Sequence, residues 1–415
     1  MIAILFITGC GEPENKMQPD PENGGLVLPE GFSALVVADS LGNGRHITIK
    51  DNGDMYVSLR RPKDGKGAVA LRDTTGDGKA DAVSYFGSVS GTGIELHDGY
   101  LYYGADSMVV RYPFNDYEDL LPSEAYEIIA AELVDQNQHA AKPFEFDNEG
   151  NMYVTIGAPA NACMEQMRTK GSPGMDPCPI LDYAGGIWQF KADVVGQTQM
   201  DDGYRYSTGI RHMVALRWND NVGKLYGVQH GRDQLHQFYP DLYDAVAGAK
   251  LPSEEFMMLD DGADFGWPYC YYDQLQGKKV LAPEYGGDGV EIGRCSAKTD
   301  PIMGFPGHMA PNDLLFYSGT QFPEKYQNGA FIAFHGSWNR APEPQKGYFV
   351  VFVPFEGTQP SGEWEIFADN FSQQEVVENP GDAVYRPCGL AVGPDGSLYV
   401  TDSREGRVWR IYYED

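Results

Sequence analysis

The chain has 415 residues, 31 Lys and Arg against 60 Asp and Glu, and a formal net charge of −29. That balance excludes a nucleic-acid binder, whose phosphate contacts need a basic footprint. With 42% apolar residues, 13% aromatics and 50 glycines, it is a turn-rich protein with a large core rather than a disordered acidic chain.

At the N-terminus, nine apolar residues, too few to span a bilayer, end at Cys10. With Ile7-Thr8-Gly9-Cys10 they resemble a bacterial lipoprotein signal, although no basic stretch precedes them. On that reading residues 1–10 direct export and Cys10 carries a lipid anchor. The protein is then periplasmic or held at the cell surface. Residues 11–29 hold prolines and charges without periodicity and are expected to be a flexible tether to a domain spanning 30–415.

One pattern then recurs: a short strand, a turn with Asp or Asn and Gly, and a strand centred on aromatic and β-branched residues. It runs from Ile47 to Val57, Ile94 to Tyr103, Phe144 to Val154, Ala215 to Tyr226 and Leu390 to Val400, with a degenerate copy from Leu314 to Phe334. Such turns supply the positive φ of tight hairpins. Six hairpins at intervals near 45 residues, with insertions, predict an all-β fold: a six-bladed β-propeller of four-stranded antiparallel blades. Phe32–Ala38 is expected to complete the last blade beside Arg407–Tyr412, leaving no open edge. Helical periodicity is confined to a stretch around Leu120–Leu133.

Cys163 and Cys178 flank a Gly/Pro-rich loop, Cys270 and Cys295 bracket another irregular stretch, and both pairs are disulfide candidates in an exported protein. Cys388 is left over within an apolar strand and reads as a buried free thiol.

Strand direction alternates within a blade, so residues before each inner strand share a face with residues after each second strand. Before inner strands stand Arg45-His46, Thr92, His139, Arg211-His212, His308 and Arg386. After second strands stand Arg60-Arg61, Ala158, Gln229 to Arg232, His335 to Arg340 and Ser403-Arg404. Seven of the eight histidines fall in or beside these loops. A basic, His-bearing face on an acidic protein suits a small anionic ligand.

At these loops the chain resembles the pyrroloquinoline quinone (PQQ)-dependent soluble sugar dehydrogenases, and among them the sorbosone dehydrogenase-like branch. The segments that carry the resemblance are Gly209-Ile-Arg-His-Met-Val214, Gly262-Ala-Asp-Phe-Gly-Trp-Pro-Tyr-Cys270, Phe331-Ile-Ala-Phe-His-Gly-Ser-Trp-Asn-Arg340 and Tyr385-Arg-Pro-Cys-Gly-Leu-Ala391. The resemblance implies PQQ lying over the central channel, hydride transfer from an aldose or sorbosone-type sugar, and electrons passed to a separate acceptor, a quinone or a cytochrome. It makes His139 the general base and Arg211 the group that stabilises the reduced quinone. His212 stands where the family has an amide and, with Arg211, is expected to contact the cofactor. Arg340 and Arg386 become clamps on the PQQ carboxylates, and Trp338 a ring that stacks on cofactor or substrate. The backbone carbonyls of Gly231 and Arg232 become calcium ligands. Ala158 replaces an acidic residue of the glucose-type enzymes, and Gly91-Thr92-Gly93 replaces a Gln, so glucose itself is not the expected sugar.

A weaker calcium candidate is Asp73-Thr-Thr-Gly-Asp-Gly-Lys-Ala-Asp81, with Asp73, Asp77 and Asp81 at loop positions 1, 5 and 9 and Gly78 at position 6, but Ser84 where a bidentate Glu would close the site. Two other functions stay open from sequence: a non-catalytic propeller binding a glycan or a protein, and a calcium-dependent lactonase propeller.

Overall fold

A computed structural model describes residues 17–414. Cys10, with its lipoprotein reading, and residues 11–16 of the expected tether lie outside the described residues. The recurring hairpins become the two innermost strands of six antiparallel blades, each of four strands, with a further two-residue strand on blades 2 and 5. The inner strands are Gly44–Ile49, Gly91–His97, Phe144–Phe146, Met213–Asn219, Pro311–Phe316 and Pro387–Val392, and they surround a central channel. Phe32–Ala38 pairs antiparallel with Val408–Tyr413, Phe32 opposite Tyr413 and Val36 opposite Trp409, so the first strand closes the last blade. Closure pairs the strand edges that an open sheet would leave bare.

The turns explain why these segments are hairpins. In blade 3 the Asp147 carboxylate accepts the backbone N–H of Glu149 at 2.8 Å and of Asn151 at 2.9 Å, and the Tyr153 hydroxyl at 2.9 Å. Gly150 within that turn has φ +76°, a conformation that side chains disfavour. Three of the tyrosines that recur on second strands stitch blades together. Tyr56 donates to the Leu120 carbonyl in blade 2, Tyr102 to Ala192 in blade 3 and Tyr226 to Thr358 in blade 5, at 2.7, 2.9 and 3.0 Å. Buried hydroxyls thereby find partners while their rings fill the seams between sheets.

Two expectations fail here. The stretch around Leu120–Leu133 is not helical: Glu127–Ala131 is the fourth strand of blade 2, with Val109 opposite Ala130. Strand pairing overrides the weak local periodicity. The described part of the expected tether is packed rather than flexible. Asp20 accepts the Val36 N–H at 2.7 Å, Asn23 accepts that of Ala34 at 3.0 Å, and Leu26 is buried. Both candidate disulfides are formed, Cys163–Cys178 and Cys270–Cys295, and Cys388 is a buried thiol. Among the described residues no helix is long and apolar enough to cross a membrane.

Candidate active site

The two ends of the channel differ in charge. At one end a hollow of about 370 Å³ is bordered by Glu95, Glu145 and Arg217, with the guanidinium 3.3 Å from Glu145 and 3.6 Å from Glu95. At the other end the loops before inner strands and after second strands form a basin of about 550 Å³. Its wall contains Arg45, Arg168, Arg211 and Arg386, the histidines 139, 212, 230, 308 and 335, and the carboxylates Asp233 and Glu254. From the loop-face list the wall takes Arg45, Arg211, Arg386 and the five histidines, while His46, Arg60, Arg61, Arg232, Arg340 and Arg404 do not border the basin.

His139 sits at φ +57°, a left-handed conformation uncommon for a residue with a side chain. The loop is held there by Gln136, whose amide donates to the carbonyls of His139 and Gly157 at 2.9 and 2.8 Å. The His139 Nδ1 lies 2.5 Å from the Ala158 carbonyl oxygen, which fixes Nδ1 as the protonated nitrogen and leaves the Nε2 lone pair to the basin. A backbone oxygen therefore orients this imidazole. His212 stacks on it with ring centroids 4.5 Å apart, and His230 meets His212 edge-on at 4.8 Å.

Arg211 donates to the Gly231 carbonyl at 3.0 Å and to Asp233 at 2.8 Å. Asp233 also accepts from Asn339 at 2.8 Å and pairs with Arg168 at 3.3 Å. Burial alone would raise the Asp233 carboxyl, but Arg211, His308 and Arg168 outweigh it and hold it well below the ordinary range. Glu254 accepts the N–H groups of Gly231 and Ala310, yet burial pushes it up to about 7. Asp233, Glu254 and Arg168 were not singled out from sequence. Asp233 follows the Gly231-Arg232 pair directly, a weak signal. Arg168 belongs to the loop closed by Cys163–Cys178, and nothing local marks it as facing the basin.

Of the expected clamps, Arg386 borders the basin, donating to the Ser337 carbonyl at 3.1 Å with no carboxylate partner among the described residues. Arg340 does not border it. It is buried behind the wall, where its Nε and Nη1 donate to the carbonyls of Ala249, Gly307 and Pro344. Arg45 takes the open position: it borders the basin, and its guanidinium makes no ion pair or hydrogen bond among the described residues. Trp338 stands at the rim, 56% exposed.

The basin fits a tricarboxylate such as PQQ. The Nε atoms of Arg45, Arg211 and Arg386 are buried without partners, and such donors are rare unless a ligand completes them. Four guanidiniums against Asp233 and a part-ionised Glu254 leave a surplus of two to three positive charges. The structure does not show a calcium site at the Gly231 and Arg232 carbonyls. The Gly231 carbonyl accepts from Arg211, and Arg232 does not border the basin. Among the described residues no three His, Cys, Asp or Glu side chains converge to hold a metal. The loop from Asp73 to Asp81 is a turn. Asp73 accepts the N–H groups of Thr75, Gly76 and Gly78, Asp77 that of Lys79 and Asp81 that of Thr74, so backbone donors occupy the carboxylates.

The basin sets the acid stability. Burial, the largest cause in each case, lowers His139 from 6.5 to about 3 and His230 to about 4, and lowers His212, His308 and His335 as well. A folded imidazole that refuses a proton leaves the unfolded chain binding more protons, so this stability is present above 6.5 and is lost as pH falls. His46 and His97 act in the same direction. Glu145, Glu254, Glu95 and Asp402, raised by burial, act oppositely but are fewer. The expected outcome is a thermal midpoint that falls between pH 6.5 and 4. A flat midpoint over that range would show that these imidazoles titrate normally.

Comparison with known proteins adds three findings. The TrAA12-like family model matches residues 26–414. A PQQ-dependent pyranose dehydrogenase of Coprinopsis cinerea is 23% identical over 435 aligned positions, covering 98% of this chain and 56% of that protein. The chain spans about half the length of the curated relatives it matches. Among solved structures, the holo PQQ domain of the Coprinopsis cinerea pyranose dehydrogenase superposes with a TM-score of 0.75 at 19% identity, covering 96% of this chain and 99% of that one. The PQQ-bound aldose sugar dehydrogenase of Streptomyces coelicolor gives 0.56 at 16% identity, covering 94% of this chain and all of that one.

Proposed function

Since the chain belongs to the TrAA12-like family, we propose that it is a PQQ-dependent dehydrogenase that oxidises an aldose or a sorbosone-type sugar. The observation that carries this reading is the cationic basin, whose surplus charge and unpartnered Nε atoms match a ligand with three carboxylates. When bound, PQQ supplies the acceptor for a hydride and its electron pair.

The residues then have distinct tasks. Arg45 and Arg386 hold carboxylates, being the wall arginines with no carboxylate of their own. The Arg211 guanidinium, steadied by Asp233 and the Gly231 carbonyl, places positive charge where negative charge develops. His139 Nε2, unprotonated because Nδ1 serves Ala158, takes the proton of the reacting hydroxyl. Trp338 offers an apolar face at the rim for a sugar ring. Electrons leave to a separate acceptor, a quinone or a cytochrome. Export and a lipid anchor at Cys10 belong to the same proposal, and the two disulfides support an oxidising compartment. The Arg/His-rich basin favours this reading over a lactonase, which needs converging side-chain ligands for calcium.

Reconstitution with PQQ followed by dye reduction with a panel of aldoses and sorbosone is the test. Absence of both PQQ binding and dye bleaching with any sugar overturns the proposal. Arg386→Met is expected to weaken PQQ binding roughly ten- to hundredfold, the worth of one charge-assisted hydrogen bond, as read by fluorescence titration. An unchanged Kd would remove Arg386 from the clamp.

A further inference from the structure

Resting on that reading, we propose that His212 is a substrate-binding donor beside the His139 acceptor, and that the pair reads an oxygen on the carbon next to the one being oxidised. The rings of His139 and His212 lie face to face, 4.5 Å apart and 20° from parallel. Gly157 makes the stack possible: a Cβ there would stand 2.8 Å from the His139 Cβ and 3.1 Å from the His212 Nδ1. That His212 nitrogen is buried and has no hydrogen-bond partner among the described residues. An orphaned buried N–H is rarer and costlier than an orphaned lone pair. The proton of the neutral ring therefore sits on Nε2, the nitrogen left to the basin.

Both rings are neutral near pH 7. Burial and then the Arg211 charge lower His139, while burial followed by His139, His230, Arg211 and Arg45 lowers His212. The charged and titratable groups facing the pair are Arg211, His230 and Asp233 from blade 4 and Arg45 from blade 1. None of them hydrogen-bonds to either Nε2. The stack thus presents one acceptor and one donor side by side, with different proton placement on two identical side chains.

A sugar matches this pair. Its reacting hydroxyl donates to His139 Nε2. The oxygen on the adjacent carbon, a hydroxyl in an aldose or a carbonyl in a sorbosone-type sugar, accepts from the His212 Nε2–H. On oxidation the C–H and O–H bonds at the reacting carbon break and its C=O bond forms. The proton goes to His139 and the hydride to the quinone oxidant, and His212 keeps its proton throughout. A substrate without the neighbouring oxygen leaves the His212 N–H without its acceptor, a loss large enough for discrimination.

The experiment compares an aldose that the holoenzyme oxidises with its 2-deoxy counterpart. We expect wild type to favour the aldose roughly ten- to hundredfold in kcat/KM. His212→Phe, which keeps the stack and removes the donor, should bring the ratio near one by slowing the aldose alone, while His212→Asn, which keeps a donor, should retain the preference. An unchanged ratio in His212→Phe, or no preference in wild type, overturns the inference. Should His212→Phe fail to fold, nitrogen-15 NMR of the histidine rings in the PQQ-free wild type decides: the Nδ1–H form for His139 and the Nε2–H form for His212 support it, and an Nδ1–H His212 overturns it. Failure to oxidise any sugar would instead remove the dehydrogenase reading beneath it.

Discussion

Replacing His139 by alanine is expected to leave PQQ bound and to lower kcat roughly 10²- to 10⁴-fold, the contribution of a positioned general base. The expectation rests on how the imidazole is held. A left-handed backbone, two hydrogen bonds from the Gln136 amide and the Ala158 carbonyl together fix one tautomer and aim Nε2 into the basin. No charge anchors the ring, so its loss leaves Arg211, Arg45 and Arg386 in place for the cofactor. Absorbance of bound PQQ and dye reduction, measured on the same sample, separate the two effects. Activity that survives with cofactor bound would give the proton to another group. Loss of PQQ along with activity would make His139 a binding residue instead.

Replacing Asp233 by alanine is expected to destabilise the fold by roughly 3–5 kcal/mol, as when one partner of a buried ion pair is removed. Asp233 is buried, and its carboxylate joins Arg211, Arg168 and Asn339, which come from three separate loops. Without it the basin keeps four guanidiniums with only a part-ionised Glu254 among them. Urea unfolding of the PQQ-free protein checks the magnitude. Because PQQ brings negative charge to the same arginines, saturating PQQ should recover part of the loss. An unchanged midpoint would mean that solvent already screens these charges.

The architecture was legible because it is written locally. Each hairpin carries its own turn chemistry and its own alternation, as Asp147 to Tyr153 shows, and the closing strand Phe32–Ala38 could be matched to its partner by pattern alone. The Leu120–Leu133 stretch was misread because a short apolar run has no unambiguous period, and pairing with blade 2 decided the matter. The packing of residues 20–29 was missed for a similar reason: Asp20 and Asn23 find their partners on a strand that lies beside them only after the propeller has closed.

The site divides along the same line. By itself the sequence determined which loops share a face, that this face gathers His and Arg within a chain of net charge −29, and which His precedes the third blade. It also marked both disulfide pairs. Tertiary structure alone decided which guanidiniums are free. Arg340 turns away to three carbonyls, Arg45 remains open, and Arg168 reaches the basin from a disulfide-closed loop. It also gave the carbonyl of Gly231 to Arg211. The physical reason is reach and competition. A backbone turn depends on neighbours in sequence, whereas a long cationic side chain settles on the best acceptor within its radius, and those acceptors arrive from distant loops.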